Sequence, residues 1–133
     1  MKILPQLKSL TKKTKKGFTL IEVIAVLVLL GILAAIAVPK YVDMAENARN
    51  RAIDAGVSEL NGRESLTWSN VKLSQAGWVD DATTFALVDT DLEGDYSYNV
   101  AATVAGATLE FQTATVPLTR TASTDTSPGR WAR

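Results

Sequence analysis

Neither cysteine nor histidine occurs anywhere in the 133 residues. That double absence removes disulfide frameworks, thiolate nucleophiles, imidazole bases and nitrogen or sulfur metal sites. The Ser and Asp residues form no nucleophile-and-base motif either, so an enzyme is not expected. Net charge is missing as well, because 14 Lys plus Arg balance 14 Asp plus Glu. The balance hides an uneven distribution. Lys2, Lys8, Lys12, Lys13, Lys15 and Lys16 stand in the first 16 residues without a single acid, whereas the rest of the chain carries a net −6. A nucleic-acid binder should carry its basic residues on the folded body, so no nucleic-acid partner is expected. At this length there is room for one small domain and accessory segments.

What is present is a long apolar run. Phe18 to Val38 reads FTLIEVIAVLVLLGILAAIAV, interrupted only by Thr19, Glu22 and Gly31. As a helix it would extend about 30 Å, enough to cross the hydrocarbon core of a bilayer. Apolar residues face every direction around it, which fits lipid or a helical bundle and not a soluble surface. The leader lysines would hold the N-terminus in the cytoplasm. An ordinary secretory signal also has a basic head and an apolar stretch, and Ala35-Ile36-Ala37 offers it a cleavage pattern ahead of Val38. An unprocessed single-pass anchor is a third reading. Against the secretory signal stand the length of the run, the acid near its start and Pro39 just beyond it.

The junction Lys15-Lys16-Gly17-Phe18-Thr19-Leu20-Ile21-Glu22 resembles the prepilin peptidase site of type IV pilins and type II secretion pseudopilins. The resemblance covers residues 12–45, about a quarter of the chain. It implies cleavage between Gly17 and Phe18, N-methylation of Phe18, and an assembly role for Glu22 at the fifth mature position. Gly31 and Pro39 match family positions in the stretch that loosens when a subunit enters a filament. The implied partners are further copies of the chain in a helical filament, a prepilin peptidase, pilus or secretion assembly machinery, and the bacterial inner membrane before assembly. The location implied is that membrane first, then an extracellular pilus or a periplasmic pseudopilus. Classical major pilins usually carry a C-terminal Cys pair, absent here. The post-helix segment of major pseudopilins is not recognisable either.

The chemistry of the motif stands without the family. A glycine lets a protease grip extended backbone at the membrane surface. Glu22 is an ionisable group at the edge of an apolar segment and asks for a cation. Cleavage would create one, the Phe18 amine of a neighbouring subunit. Burying the pair is tolerable only when the partners are aligned, so it would fix axial register. Pro39 removes a helical hydrogen bond to the Ala35 carbonyl, and Gly31 is a second weak point, which marks the helix between them as able to stretch.

Beyond Pro39 the pattern becomes amphipathic. Val42, Ala45, Arg49, Ile53, Val57 and Leu60 follow three- and four-residue spacing and predict a helix to about Ser69. From Phe18 that is roughly 75–80 Å of nearly continuous helix. Residues 83–88 read as a short strand or a turn of helix. Residues 96–104 and 107–115 alternate as a hairpin about a turn at Ala105-Gly106, and Val116 and Leu118 fit a third strand that Pro117 would confine to an edge. From Thr119 the Thr/Ser-rich tail reads as surface loop or disorder. The expected class is α+β, with a leader (1–17), an apolar helix (18–39), its amphipathic continuation (40–70) and a small antiparallel β head (71–133).

One acidic segment has metal-like spacing. Asp89, Asp91, Glu93 and Asp95 alternate around Gly94 as in a calcium loop, although Val100 stands where an EF-hand needs a bidentate Glu. A looser calcium site and a solvated acidic turn are both open. Trp68, Trp78, Phe85, Tyr96, Tyr98 and Phe111 are expected as core and loop anchors. The function expected is a structural subunit of a helical pilus-like filament. The alternatives are a pseudopilin of a type II secretion system and a secreted binding module freed by an ordinary signal peptide.

Overall fold

The computed structural model describes residues 17–133, so the expected basic leader lies, apart from Gly17, outside the described residues. The elements are α1 (Leu20–Leu73), α2 (Asp81–Phe85), β1 (Tyr96–Thr103), β2 (Gly106–Phe111), β3 (Ala114–Thr121) and β4 (Arg130–Ala132). The strands form one antiparallel sheet in the order β1-β2-β3-β4. The architecture is α+β, as the sequence predicts. Contacts divide the chain into a unit ending at Pro39 and a unit beginning at Lys40.

In the first unit every described residue is exposed, Phe18 at 91%. The apolar stretch of α1 is long and apolar enough to cross a membrane, and none of it is buried inside the protein. Pro39 stands inside α1 and does not end it.

The second unit holds the core. Ile53 and Leu60 from α1 pack with Ala107 and Leu109 of β2, Leu118 of β3 and Trp131 of β4. The α1 residues that are buried are Ile53, Gly56, Leu60 and Glu64, one helical stripe. Val42, expected on that stripe, remains 56% exposed because the sheet covers α1 only further along the chain. Gly56 belongs to the stripe for a steric reason. A Cβ there would stand 2.9 Å from the Tyr96 ring and 3.2 Å from Leu109, so the helix approaches the sheet closely at this turn.

Three sequence expectations need correction. The run over residues 107–115 is two strands, because a two-residue turn at Gln112-Thr113 reverses the chain between Phe111 and Ala114. Gln112 supplies the positive φ of 55° that a tight hairpin needs, and a non-glycine residue there hides the turn. The first turn sits at Val104-Ala105, between the Thr103 and Gly106 pair. Gly106 opens β2 with φ 153°, and a Cβ on it would fall 2.3 Å from the Leu118 carbonyl oxygen.

Pro117 lies in β3, which is an inner strand, and not on an edge strand. The Arg120 amide donates to the Ala105 carbonyl on the β2 side, so by alternation residue 117 turns its nitrogen to the opposite side. There β4 pairs only with residues 119–121, and the missing donor of Pro117 meets no strand.

The third correction concerns the tail. Thr119–Thr121 complete β3, and Arg130–Ala132 form β4 rather than loop. Trp131 explains the difference, being only 3% exposed. Its backbone is held on the far side by the Asn61 side chain, whose Oδ1 accepts from the Trp131 N–H at 2.7 Å and whose Nδ2 donates to its carbonyl at 3.0 Å. A side-chain amide thus covers the edge of a three-residue strand.

Candidate functional site

The helix begins in the middle of the cleavage-like motif, and the start is built from its own residues. Thr19 precedes the first helical residue, and Glu22 lies three residues on. The Glu22 Oε2 accepts from the Thr19 N–H at 2.7 Å and from its hydroxyl at 2.8 Å. The Glu22 N–H in turn faces the Thr19 Oγ1 at 3.4 Å. This is a capping box, in which the side chains at the N-cap and three residues later satisfy each other's orphan donors. Its signature, Thr-x-x-Glu ahead of an apolar run, is legible in the sequence, but there Glu22 is read for its charge and its place in the cleavage-like motif, and Thr19 is not read as a cap. The box turns one carboxylate oxygen toward its own chain. It also places the negative charge in the first helical turn, where the helix dipole favours it.

Around that box nothing in the chain itself demands the neighbouring residues. Gly17 and Gly31 are both open, since a Cβ on either would meet nothing within 4 Å. Their lack of a side chain serves no contact within the described residues. Phe18 is exposed one residue before the N-cap. Gly31 and Pro39 both lie inside the uninterrupted α1, where Pro39 leaves the Ala35 carbonyl without its helical donor.

The acidic loop is organised by turn bonds and a cation of the chain. Asp89 Oδ1 accepts from the Asp91 N–H and Asp91 Oδ1 from the Glu93 N–H, each at 3.0 Å. Such side-chain turns account for acids at alternate positions. Arg63 Nη1 donates to the Asp91 carbonyl at 2.6 Å and pairs with the Asp89 carboxylate at 3.1 Å. Among the described residues Asp95 meets only Gln112, whose Nε2 donates to it at 3.5 Å. Among the described residues no three Asp, Glu, His or Cys side chains gather to hold a metal, so Asp89, Asp91, Glu93 and Asp95 do not converge.

A cluster that the sequence reading missed lies in the buried interior. Glu64 of α1 and Arg120 of β3 have fully buried side chains, 2.5 Å apart at Oε1 and Nε. Arg120 also reaches Asp81, with Nη1 to Oδ2 at 2.8 Å and Nη2 to Oδ1 at 2.9 Å. Its remaining donors go to Glu64 Oε2 at 3.1 Å and the Val104 carbonyl at 3.3 Å, so all five N–H groups are used. The Trp131 indole donates to Glu64 at 3.1 Å, and Ser123 donates to Asp81 through N–H at 2.6 Å and hydroxyl at 2.8 Å. Hydrogen bonds from Arg120, outweighing burial and joined by those from Ser123, hold the Asp81 carboxyl down at about 2. Burial acts to lower the Arg120 pKa, but the bonds to Asp81 and Glu64 overcome it and raise the value. Gly129 closes over the cluster, where a Cβ would stand 2.6 Å from both the Arg120 guanidinium and the Glu64 carboxylate. Such a network ties α1, α2, β3 and β4 together in a chain that has no cysteine. The one sequence signal for it was Arg120 on the inward side of the Val116, Leu118 alternation.

The described residues thus combine an exposed apolar helix headed by a capped glutamate with a compact head on the helix's second half. A model of the prokaryotic N-terminal methylation motif matches residues 12–38. The chain is 55% identical over 57 residues to the type IV narrow pilus major component PilA5 of Thermus thermophilus, covering 43% of this chain and 49% of that one. It is 34% identical over 102 residues to the type IV major fimbrial protein FimA of Dichelobacter nodosus, covering 71% and 62%. It is 32% identical over 87 residues to a fimbrial protein of Neisseria meningitidis, covering 65% and 49%. The chain thus spans about half to just under two thirds of the length of these curated relatives. No solved structure matches it. Motif and relatives together show the chain to be similar to components of type IV pili and fimbriae.

Proposed function

We propose that the chain is a structural pilin. It is made as a membrane-anchored precursor, cut between Gly17 and Phe18 by a prepilin peptidase, methylated on Phe18, and assembled through its N-terminal helix into an extracellular filament. The observation that carries this reading is the wholly exposed apolar stretch of α1, headed by Glu22, within the matched methylation motif. Leaving the 14 large apolar side chains from Phe18 to Val38 in water is untenable, so lipid before assembly and neighbouring copies after it must cover them. Glu22 keeps one carboxylate oxygen free of the capping box, available to the Phe18 amine of a neighbouring copy. The open environments of Gly17 and Gly31 fit demands made by the peptidase and by assembly, because the chain's own packing makes none. Gly31 and Pro39 are the positions at which the helix loosens on entering the filament. Relatives named as pilus and fimbrial components favour a pilus over a periplasmic pseudopilus.

Intact-mass and N-terminal analysis of material sheared from the cell surface tests this reading. A chain beginning at methylated Phe18 in the sheared fraction is expected. The same processed chain confined to the envelope would shift the reading to a pseudopilus, and a soluble chain beginning at Val38 would overturn it.

A further inference from the structure

The charges of the head are unevenly satisfied. Arg63, Lys72, Arg120 and Arg133 sit in ion pairs. Among the described residues Lys40, Arg49, Arg51 and Arg130 have none, and three of these four lie within one stretch of α1. Arg49 is the notable one. Its Nε is buried and has no hydrogen-bond partner, although Glu46 lines the same groove. That groove, of about 310 Å³, runs between α1 at Val42 and Asn50 and the β2–β3 turn at Thr113 and Thr115. Tyr41, Val42 and Met44 on the same stretch are exposed, so this part of α1 is an unpartnered face.

The complementary surface is also on the chain. Asp91, Glu93 and Asp95 are exposed acids without an ion pair among the described residues. Glu93 and Gly94 both adopt positive φ, which projects the loop tip. A chain does not fill its own groove with this loop, because the Asp91 carbonyl is bound to Arg63 and Leu92 packs at Gly56. Arg63 lies 14 residues beyond Arg49, roughly 20 Å further along the helix. A copy displaced along the helix direction has no such obstacle.

Resting on the filament reading, we infer that the Arg49 groove receives the acidic loop Asp91–Asp95 of a second copy. The loop carboxylates supply the acceptor that Arg49 lacks. An ion pair that is half desolvated by the groove walls gives register and partner choice more than raw affinity. It acts on the head, independently of the apolar helix, so the two contacts set subunit position together.

Charge reversal in cells that make filaments tests the inference. Arg49→Glu is expected to lower the yield of sheared filaments by about tenfold or more, as like charges then face each other. Adding Asp91→Lys and Glu93→Lys to that variant is expected to restore most of the yield. A second measurement guards against a folding defect in the reversed chain. Arg49→Lys keeps the charge and adds an amine, and a carbodiimide on sheared filaments of this variant joins it to any carboxylate in contact. Cross-linked dimers whose peptides link position 49 to Asp91, Glu93 or Asp95 are the expected result. Filaments of processed chain that yield no such link, or Arg49→Glu filaments at full yield, would overturn the inference and leave the filament reading intact. Failure of the unaltered chain to give filaments beginning at Phe18 would overturn both.

Discussion

The two halves of α1 use one backbone for opposite purposes. From Leu20 to Pro39 the helix is apolar on every side and buries nothing. From Ile53 to Glu64 it is polar on most sides and buries a single stripe of four residues under the sheet. Hydrophobicity therefore does not mark the core of this protein. The most apolar segment is the bare one, and the packed segment has Gly56 and Glu64 at two of its four buried positions. The contrast teaches that burial within the chain is decided by shape and pairing at the head, whereas the first half finds no cover among the described residues.

The contrast can be broken at its strongest point. Replacing Glu22 by Val removes the capping box and the charge together, which leaves a more apolar helix without a register contact. The processed chain is expected to persist in the membrane while surface filaments fall below detection, as judged by shearing and immunoblotting. In the head the largest effect is expected from Arg120→Met, which strands the Glu64 carboxylate in a dry interior. Breaking one side of a buried pair costs about 3–5 kcal/mol, readable as a lower unfolding midpoint for the full chain in detergent.

Acid sharpens the comparison further. The folded-state pKa of Asp81 is depressed to about 2 from an ordinary 3.8, so the stability it contributes is present above that ordinary value. It is lost as pH falls through about 2, a change of about 2 kcal/mol. Asp81→Asn should abolish this part of the acid sensitivity, measured by denaturant unfolding from pH 5 to 2.

Two glycines of the packed half give the smallest effects, with opposite signs. Gly56→Ala forces a methyl against the Tyr96 ring, Leu109 and Leu92, and overpacking should outweigh the helix-propensity gain by about 1 kcal/mol. Gly62→Ala meets nothing within 4 Å and should stabilise the head by about 0.5–1 kcal/mol.

What the sequence made legible follows the same division. Local pattern suffices for the apolar helix, for the strand beginning at Tyr96 and the existence of its hairpin partner, and for the glutamate placed at the helix start. It fails where the deciding partner is remote. Glu64 and Arg120 are separated by 56 positions, and each looks like a solvated charge until the other is placed beside it. Trp131 sits in a stretch rich in Ser, Thr and Pro and has no periodic neighbours to announce β4. The hairpin at Gln112-Thr113 escapes because β-forming residues continue to alternate at Leu109, Phe111, Thr113 and Thr115 when read without the turn. The calcium-like spacing at Asp89–Asp95 is ambiguous for a related reason, since turns and cation loops both place side-chain oxygens at alternate positions.

The account rests on the bare half of α1 being covered by other copies of itself. Helical reconstruction of filaments sheared from cells tests this most directly. The account predicts a central bundle of α1 segments from Phe18 to Pro39, with the Glu22 carboxylate of one copy beside the Phe18 amine of another and the β sheets outside. A filament whose axis is lined by the heads, with the apolar segments splayed outward, would contradict it.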